Sequence, residues 1–159
     1  MISLKQEALA EIAATRAFFD RTTSVLEEAD SGFRATPETR SVVQTFAHVA
    51  QTLDWFRAGG FEDRWREDWP AMEEEVQRVT SLAEARRWLA EAWERLRATV
   101  EAANETKLAE TLAPNPILPA RPRYHVIEGI VDHTAHHRGA LAVYARLLGK
   151  VPPMPYMEE

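Results

Sequence analysis

The sequence contains no cysteine. That excludes disulfides, iron–sulfur clusters, cysteine-ligated zinc and a cysteine nucleophile supplied by this chain. Glycine is scarce, with 6 in 159 residues, and the 9 prolines are clustered. No run is long and apolar enough to cross a bilayer. The N-terminal Met1-Ile2-Ser3-Leu4-Lys5-Gln6-Glu7 lacks the apolar stretch of a secretion signal. Basic charge is also short. The 19 Lys and Arg against 25 Asp and Glu leave a net charge of −6, the wrong sign for gripping nucleic-acid phosphates. These absences predict a cytoplasmic protein with no nucleic acid and no membrane among its partners.

What remains is 45% hydrophobic, too apolar for disorder. Ala, Glu, Arg and Leu, all strong helix formers, dominate. The length suits one domain over residues 1–159. Helical periodicity marks four long segments. The first runs from Ile2 to Ala29, with Leu4, Ala8, Ile12, Thr15, Phe19, Thr22 and Leu26 on one face. The second starts at a capping box, Ser41-Val42-Val43-Gln44, carries Val42, Phe46, Val49, Leu53 and Phe56, and is expected to stop at Gly59-Gly60. The third starts at a second box, Ser81-Leu82-Ala83-Glu84, and carries Leu82, Ala85, Leu89, Ala92, Leu96 and Ala103, with Trp88 and Trp93 on its flanks. The fourth runs from Tyr124 to Leu148, with Gly149 as its cap and Pro152-Pro153 forbidding continuation. Pro70 to Val79 is expected to form a short extra helix. Pro114, Pro116, Pro119 and Pro122 predict a stiff, extended crossover. The fold class expected is all-α, a four-helix bundle with long crossover connections.

The fourth segment reads Asp132-His133-Thr134-Ala135-His136-His137-Arg138-Gly139. His133 and His137 are four apart and leave the same helix face. Counting about 100° per residue from Ile130, His137 falls in the middle of the apolar stripe and His133 beside it. Burying an imidazole with an unsatisfied nitrogen costs on the order of 1–3 kcal/mol. One divalent cation can satisfy two such rings together, because neutral imidazole is a common metal ligand. A third ligand must come from another helix. His125 lies two turns before His133, too far along the axis. His136 points away and, like His125, reads as a surface residue. His48 lies mid-helix at a cleft-edge position beside Thr45, Thr52 and Trp55; taken alone it reads as a satisfied polar residue. Arg138 is expected to pair with acidic neighbours such as Glu128, with anion binding as the alternative. Gly139, costly inside a helix, reads as a site of close backbone packing or as a tolerated defect.

The run Glu128-Gly129-Ile130-Val131-Asp132-His133-Thr134-Ala135-His136-His137-Arg138-Gly139, followed by Tyr144-Ala145-Arg146-Leu147-Leu148-Gly149 and Pro152-Pro153, resembles the DinB/YfiT-like superfamily, as does His48 with Trp55 seven residues on. The resemblance implies an up-down-down-up bundle, commonly homodimeric. It implies a divalent metal held by His48, His133 and His137, with zinc or nickel favoured and iron or manganese as further choices. It also implies an external low-molecular-weight thiol as co-substrate. Ala140 departs from the pattern, where glutamine often follows the glycine. Three neutral histidines leave coordination positions open, and an ion so held lowers the pKa of a bound thiol or water. The expected activity is S-transfer to a small electrophile. The alternatives are metal-dependent hydrolysis and a non-catalytic metal-binding, ligand-binding or structural dimeric bundle. Protons compete for imidazole nitrogens, so metal loss is expected as pH falls through roughly 6. The Gly59-to-Pro70 connection, with Arg64, Trp65 and Arg66, is a candidate wall for the mouth of the site. The Gly129, Ala140, Val143 and Leu147 side is a candidate packing surface.

Overall fold

Helix-forming composition and well-placed caps give a computed structural model, describing residues 2–157, whose regular elements are all helical apart from one isolated bridge. The helices are α1 (Leu4–Thr23), α2 (Val42–Glu62), α3 (Trp69–Arg78), α4 (Leu82–Ala102), α5 (Glu105–Ala109) and α6 (Val126–Leu147). Short 3-10 turns occupy Glu28–Asp30 and Arg123–His125. No helix among the described residues is long and apolar enough to cross a membrane.

The four long helices form a ring. α1 packs on α4 and α6, and α2 packs on the same two. Chain-consecutive α1 and α2 therefore lie across a diagonal, as do α4 and α6, which explains the length of the connections between them. Contacts run in opposite order along α1 and α4: Lys5 meets Glu101, Arg16 meets Glu94, and the Thr23 carbonyl meets Arg86. They also run in opposite order along α2 and α6, from Arg40 with Tyr144, through His48 with His133, to Gly60 with Val126. The core is fullest where Phe19, Phe46, Leu53, Trp93, Leu96, Ile130 and Leu141 meet, all at most 2% exposed. Each such side chain contributes about 1.5–3 kcal/mol by leaving water.

Several boundaries differ from the sequence reading. α1 stops at Thr23 rather than Ala29. There the Thr23 hydroxyl donates to the Phe19 carbonyl and the Ser24 hydroxyl to the Arg21 carbonyl, a competition with the helix ladder typical of Ser and Thr. The expected stop at Gly59-Gly60 is absent. α2 runs on to Glu62, and both glycines are buried because neighbours press against their Cα atoms. A Cβ on Gly60 would come within 2.5 Å of Val126, and one on Gly59 within 2.2 Å of the Trp65 ring. Gly139, by contrast, faces open space, so no close packing accounts for it. The box at Ser81 is only half made. Ser81 Oγ accepts from the Glu84 N–H, but the remaining free N–H groups, those of Leu82 and Ala83, donate to the Glu28 carboxylate, more than fifty residues away.

The proline-rich segment is not an extended crossover. After α5, capped by Asn104, the chain turns out and returns so that Leu112 N–H donates to the Arg121 carbonyl and Arg123 N–H to the Glu110 carbonyl. The result is a closed loop with Asn115 holding its tip: the Asn115 carboxamide oxygen accepts from the N–H groups of Ile117 and Leu118. Arg123 at its base is 3% exposed. It bridges Asp63, Glu110 and the Gly60 carbonyl, and so locks the loop to the end of α2.

Candidate metal centre

α2 and α6 supply the three histidines. The capping box at Ser41, with both reciprocal hydrogen bonds made, fixes the start of α2 and hence the angular position of His48. Ile130, Thr134 and Leu141, all at most 1% exposed, seat α6 so that His133 and His137 face the α2 seam. The Nε2 atoms of His133 and His48 are 3.1 Å apart, and those of His137 and His133 are 3.2 Å apart. Ring centroids form a near-regular triangle with sides of 5.0, 4.8 and 4.5 Å. One ligand atom from each residue lies within 4.8 Å of the other two. His136 is exposed, and His125 pairs with Glu128 at 2.5 Å; neither joins the triangle.

The donor chemistry fits a cation. A neutral imidazole nitrogen either donates or accepts, so three Nε2 atoms aimed at one another cannot all be satisfied by hydrogen bonds among themselves. A shared ion about 2.0–2.1 Å from each nitrogen brings ligand atoms to about 3–3.4 Å from one another, which matches the observed spacing. Burial, the largest cause in each case, pulls all three rings from 6.5 down to about 3, with Arg40 and neighbouring histidines adding to it. Protonation is thereby disfavoured and the nitrogens are kept as lone-pair donors.

His48 and His133 form part of the wall of a cavity of about 410 Å³. Its apolar side is made by Trp55, Phe56, Trp69, Met72 and Ile117. Ile117 comes from the tip of the proline-rich loop, and Trp69 from the first residue of α3. Gln51 holds α3 in place, donating from its side-chain amide to the Met72 carbonyl and to Glu75. Trp55 donates its indole N–H to the Arg66 carbonyl at 2.8 Å, which fixes the ring and ties down the α2–α3 connection. Trp65, a candidate for the wall, instead packs behind Trp55 at 4.6 Å between centroids, over Gly59. Arg66 and Arg64 are engaged with carboxylates, Arg66 with Asp68 and Glu75, Arg64 with Glu62.

Two charged residues of the cavity went unnoticed in the sequence. Arg40 and Glu73 both line it and form an ion pair at 2.5 Å. Arg40 precedes the α2 cap and Glu73 lies on α3, so no spacing rule joins them to the histidines. The capping box that places Arg40 just before the helix start was the one available signal. Arg138 does not pair with Glu128. It reaches the Tyr156 hydroxyl and lies over the Phe18 and Tyr156 rings, while Glu128 takes Arg121 and His125. The candidate packing surface is split: Val143 and Leu147 are exposed, whereas Gly129 is covered by Phe56 of the same chain.

A model of the DinB family matches residues 2–159. Among solved structures, a DinB-like protein from Bacillus subtilis superposes with a TM-score of 0.70 at 16% identity, covering 96% of this chain and 99% of that one. A DinB-like protein from Bacillus cereus gives 0.69 at 14% identity, covering 88% and 89%. A mycothiol-dependent maleylpyruvate isomerase gives 0.72 at 15% identity, covering 89% of this chain. The chain spans 63% of the length of that isomerase. A search of curated protein sequences gives no match.

Proposed function

The chain belongs to the DinB family, and on that premise we propose that it is a metal-dependent enzyme that joins an external thiol to a small electrophile. The observation that carries this reading is the convergence of His48, His133 and His137 Nε2 atoms, 3.1 and 3.2 Å apart, at the wall of a cavity large enough for a small molecule. His48, His133 and His137 would hold the ion, with zinc or nickel suited to an all-imidazole set. When bound there, a divalent cation would supply Lewis-acid chemistry that lowers the pKa of a thiol or water.

The chain's own residues do the rest. The three rings stay neutral because burial opposes their protonation. The apolar wall of Trp55, Phe56, Trp69, Met72 and Ile117 excludes water from one side of the cavity, which strengthens electrostatic interactions inside it. With no cysteine in the sequence, the sulfur comes from outside. Similarity in fold to a mycothiol-dependent isomerase supports a reading in which a thiol takes part.

The test combines elemental analysis with turnover. Native protein is expected to carry about one divalent ion per chain, and His137→Ala to carry far less. Native protein loaded with metal is expected to consume electrophiles from a panel only when a low-molecular-weight thiol is added. Equal metal content in the two proteins removes the centre. Turnover without thiol replaces S-transfer by hydrolysis.

A further inference from the structure

Among the described residues, Arg40 is the one arginine that lines the cavity next to His48 and His133. Only its Nη2 is hydrogen-bonded, to one oxygen of Glu73. Its Nε is buried with no partner, and no residue among those described engages Nη1. The side chain is 36% exposed and lies in the wall of the cavity that contains His48 and His133. Its backbone is held by the Tyr144 hydroxyl, which donates to the Arg40 carbonyl at 3.1 Å. The guanidinium is close enough to all three histidines to help suppress their protonation. The same cavity is lined by two tryptophans, a phenylalanine, a methionine and an isoleucine.

We propose that the cavity takes a small molecule with an apolar, preferably flat, body and one carboxylate, and that Arg40 is the residue that binds that carboxylate. This inference rests on the cavity being the substrate site of the proposed enzyme. Planar guanidinium donors suit a carboxylate better than an ammonium does, and charge-assisted hydrogen bonds are about twice as strong as neutral ones. The indole and phenyl faces suit a flat body. Glu73 acts as the resident counter-ion: it competes for the guanidinium and leaves when the ligand arrives. Specificity then comes from the Nη1 and Nη2 edge that Glu73 vacates and only an anionic ligand completes, since a neutral analogue leaves Arg40 paired with Glu73.

The experiment is calorimetric titration of metal-loaded protein with benzoate and with benzyl alcohol, repeated after chelation so that direct metal–carboxylate contact is separated from the arginine. Benzoate is expected to bind more tightly than benzyl alcohol in both states. Arg40→Ala should weaken benzoate by about tenfold or more and leave benzyl alcohol unchanged. Arg40→Lys should fall between. Glu73→Gln, which removes the competing carboxylate and keeps the shape, should bind benzoate more tightly than native protein. Equal affinity of the two probes, or benzoate binding untouched by both Arg40→Lys and Glu73→Gln, overturns the proposal even if Arg40→Ala does not fold. Metal content is measured on the same samples. Loss of the ion with the Arg40 dependence intact counts against the metal reading only, and an ion retained without that dependence counts against this one.

Discussion

The two ends of α2 treat an arginine in opposite ways. At the C-terminal end Arg123 is 3% exposed, and each of its three side-chain nitrogens has an acceptor among Asp63, Glu110 and the Gly60 carbonyl. Its hydrogen bonds, that of Asp63 first, hold it more firmly charged than usual. The same end is crowded, with Trp65 on Gly59 and Val126 on Gly60. At the N-terminal end Arg40 faces a cavity and keeps two of its three nitrogens without partners. A saturated arginine among packed groups holds the fold; an unsaturated one at a cavity has donors left for something else. Both lie on the path that sets the α2–α6 seam, one end closely packed and the other open to a cavity.

The largest effect is expected at the saturated end. Arg123→Ala strands a buried carbonyl and frees the proline-rich loop, and should cost about 3 kcal/mol, read by chemical denaturation. A change within measurement error would erase the distinction between the two arginines. Gly59→Ala tests the crowding, because its new methyl group meets the Trp65 ring; a loss of about 2 kcal/mol is expected. Trp65→Ala in the same background should recover part of it, since the two residues compete for one space.

The chemical end should respond to pH. The three rings titrate at 6.5 when exposed and at about 3 in the folded chain. Between those values the unfolded chain binds more protons, so stability present above 6.5 is lost as pH falls toward 3. Denaturation of chelated protein across that window should show the decline, and His48→Gln should make it shallower. Ordinary imidazoles would release metal near pH 6. Rings held neutral by burial move that release lower, and a titration of bound metal against pH measures by how much. The smallest effect is reserved for Arg40→Ala, whose half-exposed ion pair with Glu73 contributes at most about 1 kcal/mol to folding. A larger loss would mean that Arg40 braces the fold much as Arg123 does.

Local rules made part of this legible. The i, i+4 histidine pair and the apolar stripe of α6 are periodic features, and both can be counted off the chain. The all-helical class followed from composition and caps. His48, taken alone, reads as a satisfied polar residue; its place beside the pair comes with the family resemblance. Other features depend on which segments meet. Glu28 caps α4 from the connection between α1 and α2, and Glu73 of α3 meets Arg40 just before α2. Gly59 and Gly60 read as stops because glycine usually lowers helix stability. The neighbours that require their small size come from Trp65 and Val126. The prolines read as an extended crossover, because no local rule shows that the two ends of the segment pair.

That pairing separates a cassette from its frame. The residues that close the proline-rich loop, from Glu110 to Leu112 and from Arg121 to Arg123, carry its attachment to the bundle. The tip contributes Ile117 to the cavity and little to the core. New side chains at the tip therefore reshape one wall while the histidines stay where they are. A lineage, or an engineer, can trade one ligand preference for another there without rebuilding the scaffold.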